Sequence, residues 1–148
     1  MHSAKKLRIR IIKHKLVEMD SYLNEMKEFL PSAKEEFIHA SIKKHGIYKL
    51  IESAIETIIK ICSIINSDLQ LGIPSNEESI IQHLQTKKIL SDALTLKLIQ
   101  MKNFRNILVH KYDKIDDSLA FHTIHENLED FDLFKEEILQ FLKDNKNK

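Results

Sequence analysis

Leu50-Ile51-Glu52-Ser53-Ala54-Ile55-Glu56-Thr57-Ile58-Ile59-Lys60-Ile61-Cys62-Ser63-Ile64-Ile65 decides the fold. Leu50, Ile51, Ala54, Ile55, Ile58, Ile61, Cys62 and Ile65 recur at intervals of three and four, the spacing of one face of an α-helix. The series reaches back through Ile47, Ala40 and Phe37, with Gly46 inside it. A glycine in a helix interior costs about 1 kcal/mol against alanine, so a kink is expected there rather than a boundary. This segment, running to about residue 70, is the expected spine of the core.

The same period continues on either side. Ile9, Ile12, Leu16, Met19, Leu23, Met26 and Leu30 predict a first helix over about residues 4–30. Pro31 ends it and can open the next helix. Leu71-Gly72-Ile73-Pro74-Ser75 reads as a loop, and Ser75 with Glu78 has the spacing of a capping box. A short helix bearing Ile80, Ile81 and Leu84 should follow. Ser91 is placed to cap a fourth helix over about residues 92–110, and Asp116 or Asp117 to cap a last amphipathic helix reaching about residue 143. Residues 144–148 should fray. No strand pattern or internal repeat breaks the chain, so the expectation is an all-α, five-helix antiparallel bundle forming one domain over residues 1–148.

Composition narrows the classes. The length suffices to bury a core, and 43% apolar with 30% charged residues is an ordinary soluble balance. The net charge of +1, from 23 basic and 22 acidic residues, does not announce a nucleic-acid binder. Charge is unevenly spread, however. Residues 2–15 hold Lys5, Lys6, Arg8, Arg10, Lys13 and Lys15 without an acid, whereas residues 126–137 hold six acids and one lysine. The lone Cys62 cannot close an internal disulfide and reads as a small core residue, which suits a reducing compartment. With no apolar h-region and no 18-residue apolar run, the expected location is the cytoplasm.

Chemistry concentrates in Arg105-Asn106-Ile107-Leu108-Val109-His110-Lys111-Tyr112. On a helical wheel with Arg105 at zero, Leu94, Met101, Phe104 and Leu108 form a core stripe between about 260° and 340°. Asn106 and His110 share a face near about 100–140°, and Arg105 must curl round to meet His110. Val109 and Ile99 add apolar character on the motif side, so this helix needs a second cover, which a two-fold partner would supply. Arg105 offers a planar fork for phosphate oxygens. His110 falls at the helix C-terminus, where the dipole favours the imidazolium and a neighbouring arginine opposes it, a balance suited to acid–base work. Equally, a terminal histidine can serve only as a cap on free carbonyls.

Arg105-Asn106, four residues, His110 and then Tyr112 resembles the Arg-x4–6-His motif of the HEPN superfamily. The His-x-Tyr ending, Met101, Phe104 and Ile115-Asp116 are similar to its HepT-like branch. The resemblance implies a homodimer with paired motifs at the dimer cleft. It implies a toxin whose partner is a minimal nucleotidyltransferase antitoxin. The implied activity is that of a metal-independent endoribonuclease without a cofactor, in which His110 moves the proton, Arg105 stabilises the phosphorane charge and Asn106 positions them. It further implies adenylylation of Tyr112 by the antitoxin. Lys102 and Lys111 are candidate RNA contacts. The rival readings are a non-catalytic substrate-binding subunit of a nucleotidyltransferase complex, and a helical module whose Arg105 and His110 only seal a dimer.

Other groups carry less. His122, His125 and Glu126 follow neither the zinc-protease order nor a full ligand set, so no metal is expected. His14, His39, His45 and His83 read as surface or capping residues, and Tyr22 and Tyr48 as packing. No glycine-rich phosphate loop is present.

Overall fold

In a computed structural model, residues 6–146 are described. Six helices follow one another: α1 (Ile9–Phe29), α2 (Lys34–Ile38), α3 (Ile42–Asp68), α4 (Glu77–Thr86), α5 (Asp92–His110) and α6 (Asp117–Lys146). A 3-10 turn, Tyr112–Lys114, joins the last two. No strand occurs among the described residues, and no helix there is long and apolar enough to cross a membrane.

The Leu50–Ile65 stretch lies within α3, and Ile51, Ala54, Ile58, Ile61, Cys62 and Ile65 are buried along it. α1 packs along α3 through Ile12, Leu16, Met19, Leu23 and Met26. α4 and α5 cover another side of α3, and α6 brings Phe121, Ile124, Phe131, Phe134 and Ile138 into the same core. Burial pushes the Cys62 thiol up to about 12, so it stays protonated and inert.

Six helices replace the five expected because the second segment is divided. The break falls at His39–Ser41, not at Gly46. Ser41 takes a positive φ of 49°, outside the right-handed helical region, which ends helical continuity. The short α2 seats Phe37 in the core against Tyr48 and Phe121. Gly46 lies inside an unbroken α3, with nothing within 4 Å of where a Cβ would stand.

Three boundaries also move. α1 starts at Ile9 because the Arg8 backbone N–H and Nε donate to the Asp68 carboxylate at the end of α3, which holds the approaching chain out of the helix. Residues 4 and 5 of the predicted helix, Lys5 included, lie outside the described residues. The capping box of α4 is Asn76 with Ser79 rather than Ser75 with Glu78: Asn76 Oδ1 accepts from the Ser79 N–H at 2.8 Å, and Ser79 Oγ accepts from the Asn76 N–H at 3.1 Å. Residues 144–146 continue α6 instead of fraying, and residues 147–148 lie outside the described residues. The caps expected at Ser91 and Asp116 are present, accepting from the N–H groups of Leu94 and Leu119.

Candidate active site

α5 buries Leu94, Leu98, Met101 and Leu108, with Phe104 half-buried beside them, which turns the motif towards its exposed end. The Arg105 side chain is only 12% exposed. Its guanidinium points to α3 and α4: Nη2 pairs with Glu77, and Nη1 lies 4.0 Å from Glu56. Nε is buried without a hydrogen-bond partner. Arg105 therefore does not curl round to His110 as the wheel required, because two carboxylates on neighbouring helices hold it first. Asn106 is half-buried and His110 exposed as the last residue of α5. Lys102 forms an ion pair with Glu78 at 3.8 Å, whereas Lys111 is exposed.

Tyr112 opens the 3-10 turn and is 38% exposed. Its hydroxyl shares a hydrogen bond with His45 Nδ1 from the first turn of α3. The Tyr48 ring meets Tyr112 edge-on at 6.0 Å. Tyr48 in turn donates to Asp117 Oδ1 at 2.6 Å, and Lys44 donates to Asp117 Oδ2 at 2.8 Å and to the Ile38 carbonyl at 3.2 Å. Burial pushes the Asp117 carboxyl up, but the hydrogen bonds from Lys44 and Tyr48 and the charge of Lys44 outweigh it, so the group titrates below its ordinary value. Burial, then the charge of Asp117, raises the Tyr112 phenol above its ordinary value.

Sequence reasoning did not find His45, Tyr48, Lys44, Glu56 or Glu77. His45 and Tyr48 meet Tyr112, and Glu56 and Glu77 meet Arg105, across long separations, such as the 67 residues between His45 and Tyr112, while Lys44 acts one step away through Asp117. Helical spacing contains no signal for such pairs.

The "Ribonuclease HepT-like" family model matches residues 19–138. The chain belongs to the HepT-like family. The mRNA nuclease HepT of Shewanella oneidensis is 31% identical over 84 residues, which are 57% of this HepT-like chain and 63% of that protein. The chain thus spans less than two thirds of that relative. The tRNA nuclease HepT of Aphanizomenon flos-aquae is 27% identical over 133 residues, 89% of this chain and 90% of the relative. Among solved structures, the fold is shared with a tri-AMPylated Shewanella oneidensis HEPN toxin in complex with MNT antitoxin. The TM-score is 0.81 at 24% identity, covering 88% of this chain and 97% of that one. It is also shared with the cytosolic protein YutE of Bacillus subtilis, at a TM-score of 0.80 and 15% identity over 94% and 93% of the two chains.

Proposed function

We propose that this HepT-like chain is the toxin of a toxin–antitoxin pair, a metal-independent endoribonuclease neutralised by adenylylation of Tyr112. The observation that carries this reading is the end of α5: in a HepT-like chain, Arg105, Asn106 and His110 run out to an exposed imidazole, and the accessible Tyr112 follows at once. An RNA 2′-hydroxyl would attack the adjacent phosphate, forming the 2′-O–P bond as the P–O5′ bond breaks. His110 takes or returns the proton. Arg105 stabilises charge on the phosphorane once an RNA phosphate competes for its guanidinium, and Asn106 orients the pair. An adenylate on Tyr112, supplied by a nucleotidyltransferase antitoxin, would fill the same ground with a bulky anion. The names of the two relatives, an mRNA nuclease and a tRNA nuclease, support RNA as the substrate class. The complex of the Shewanella toxin with MNT antitoxin supports the partner.

A second copy would complete the cleft. Leu96, Ile107 and Leu119 are exposed along α5 and the start of α6. Beside them lies a groove of about 330 Å³ lined by Phe104, Ile107, Ile115 and Leu119. An apolar strip of this kind suits a two-fold contact between α5 helices.

One observation favours the alternative, a non-catalytic binding subunit: Arg105 and Lys102 are already paired with carboxylates, which weakens their pull on RNA. Expression without any antitoxin separates the two. Growth arrest and RNA cleavage by the purified protein, both lost in His110→Ala with folding retained, is the expected result. Harmless expression and intact RNA would transfer the case to the binding subunit.

A further inference from the structure

Tyr112 is not simply exposed; it is held. Its hydroxyl meets His45 Nδ1, its ring packs edge-on against Tyr48, and Tyr48 is fixed by Asp117. A phenol is a poor nucleophile unless its proton has somewhere to go. Burial and the negative charge of Asp117 make Tyr112 still more reluctant to ionise unaided. Among the polar groups clustered here, Lys44 is a cation tied to Asp117 and the Ile38 carbonyl, and Asp117 already accepts from Tyr48 and Lys44. The imidazole of His45 is the acceptor that touches the phenol oxygen.

We propose that His45 is the general base of Tyr112 modification, taking the hydroxyl proton as the phenol oxygen attacks the α-phosphorus of a nucleoside triphosphate. This rests on the modification reading given above. The Tyr112 Oη–P bond forms, the bond from that phosphorus to the bridging oxygen breaks, and the electron pair departs with pyrophosphate. The proton passes to His45 Nδ1, which requires the neutral tautomer carrying its hydrogen on Nε2. The exposure of both rings leaves the oxygen open to a bulky electrophile. Tyr48 and Asp117 act as positioning residues, keeping the Tyr112 ring within reach of the imidazole.

The test has two arms. In the first, the intact protein is treated with phenylmethanesulfonyl fluoride, and sulfonylation of Tyr112 is followed by peptide mass. His45→Gln, an exposed substitution expected to leave the melting curve unchanged, should slow labelling on the order of 100-fold. His45→Ala should be restored by free imidazole. Equal rates in wild type and both variants, or failure of imidazole to rescue, overturns the role of His45. In the second arm, the nucleotidyltransferase antitoxin and α-labelled ATP replace the reagent. Label on Tyr112 in wild type, with the same loss and rescue in the variants, supports the proposal. Absence of label in wild type removes the modification reading and the nucleotidyl-transfer step with it, while the first arm still reports separately whether His45 activates the phenol.

Discussion

Arg105 on α5 is paired with Glu77, the first residue of α4, across the helix interface that supports the motif. The arginine is the more buried partner, with 12% of its side chain exposed against 41% for the glutamate. A cation so placed depends on its carboxylate, since Glu56 stands farther off at 4.0 Å and Nε has no partner. Glu77→Gln should destabilise the fold by about 1–3 kcal/mol, because it leaves a largely buried charge short of compensation. Arg105→Ala should cost a similar amount, and the double substitution less than the sum. Urea unfolding of the four proteins measures the coupling; strict additivity would mean that the pair contributes nothing and that packing alone holds Arg105.

The Asp117 cluster predicts an acid-sensitive link between α3 and α6. Its carboxyl titrates lower in the folded protein than in the unfolded chain, where the ordinary value is 3.8. Its contribution is therefore complete above that ordinary value and is lost as pH falls through the lower folded value. Asp117→Asn should lower stability at pH 7 by about 1.5–3 kcal/mol, the usual worth of a hydrogen bond to a charged group. It should also flatten the acid limb of the stability curve. Urea midpoints measured between roughly pH 2.5 and pH 7 check both. A variant whose acid limb matches wild type would contradict the assigned role.

Ser91 and Asp116 show how much of this molecule is local. Each cap was legible because a side-chain acceptor and the N–H it serves are three residues apart. The long helices were legible because α3 and α1 repeat their apolar residues at three and four. The break at Ser41 was not, since Phe37 and Ala40 keep helical spacing up to it and Ile42, apolar but 84% exposed, follows it. What holds that corner is tertiary: Lys44 joins the Ile38 carbonyl to Asp117, 73 residues away. At the site, the position of the motif at the end of α5 could be read from its spacing. The company it keeps could not, because Glu56 and Glu77 sit on other helices and their reach to Arg105 depends on how those helices cross.

Gly72 makes a sharper local prediction. Its φ is +154°, and a Cβ there would stand 2.8 Å from His83 Cε1. The imidazole cannot easily retreat, since His83 Nδ1 bonds Asn66 Oδ1 at 2.8 Å while Asn66 Nδ2 donates to the Gly72 carbonyl at 2.9 Å. Gly72→Ala should cost about 1–3 kcal/mol through strained backbone and a displaced ring. Pairing it with His83→Ala should recover part of the loss by removing the clash. Thermal unfolding of both proteins decides this, and a double variant no more stable than Gly72→Ala alone would place the whole cost in the backbone.

The two-fold contact can be tested without reference to catalysis. Ile107 is 40% exposed on α5 and Leu119 63% exposed on α6, and both line the groove between those helices. If a second copy covers this strip, wild-type protein should sediment at twice its 17.4 kDa chain mass. Ile107→Asp should then drive it to monomer, because a desolvated carboxylate without a partner costs several kcal/mol, each 1.4 kcal/mol being about tenfold in affinity. Val17→Asp, at a still more exposed apolar position on α1, should leave the dimer intact. Monomeric variants should keep their helical signal yet lose RNA cleavage, since each motif would have lost its counterpart. A cleavage-competent monomer would show that one copy of Arg105 and His110 is sufficient, and a wild-type protein sedimenting as a single chain would remove the shared cleft altogether.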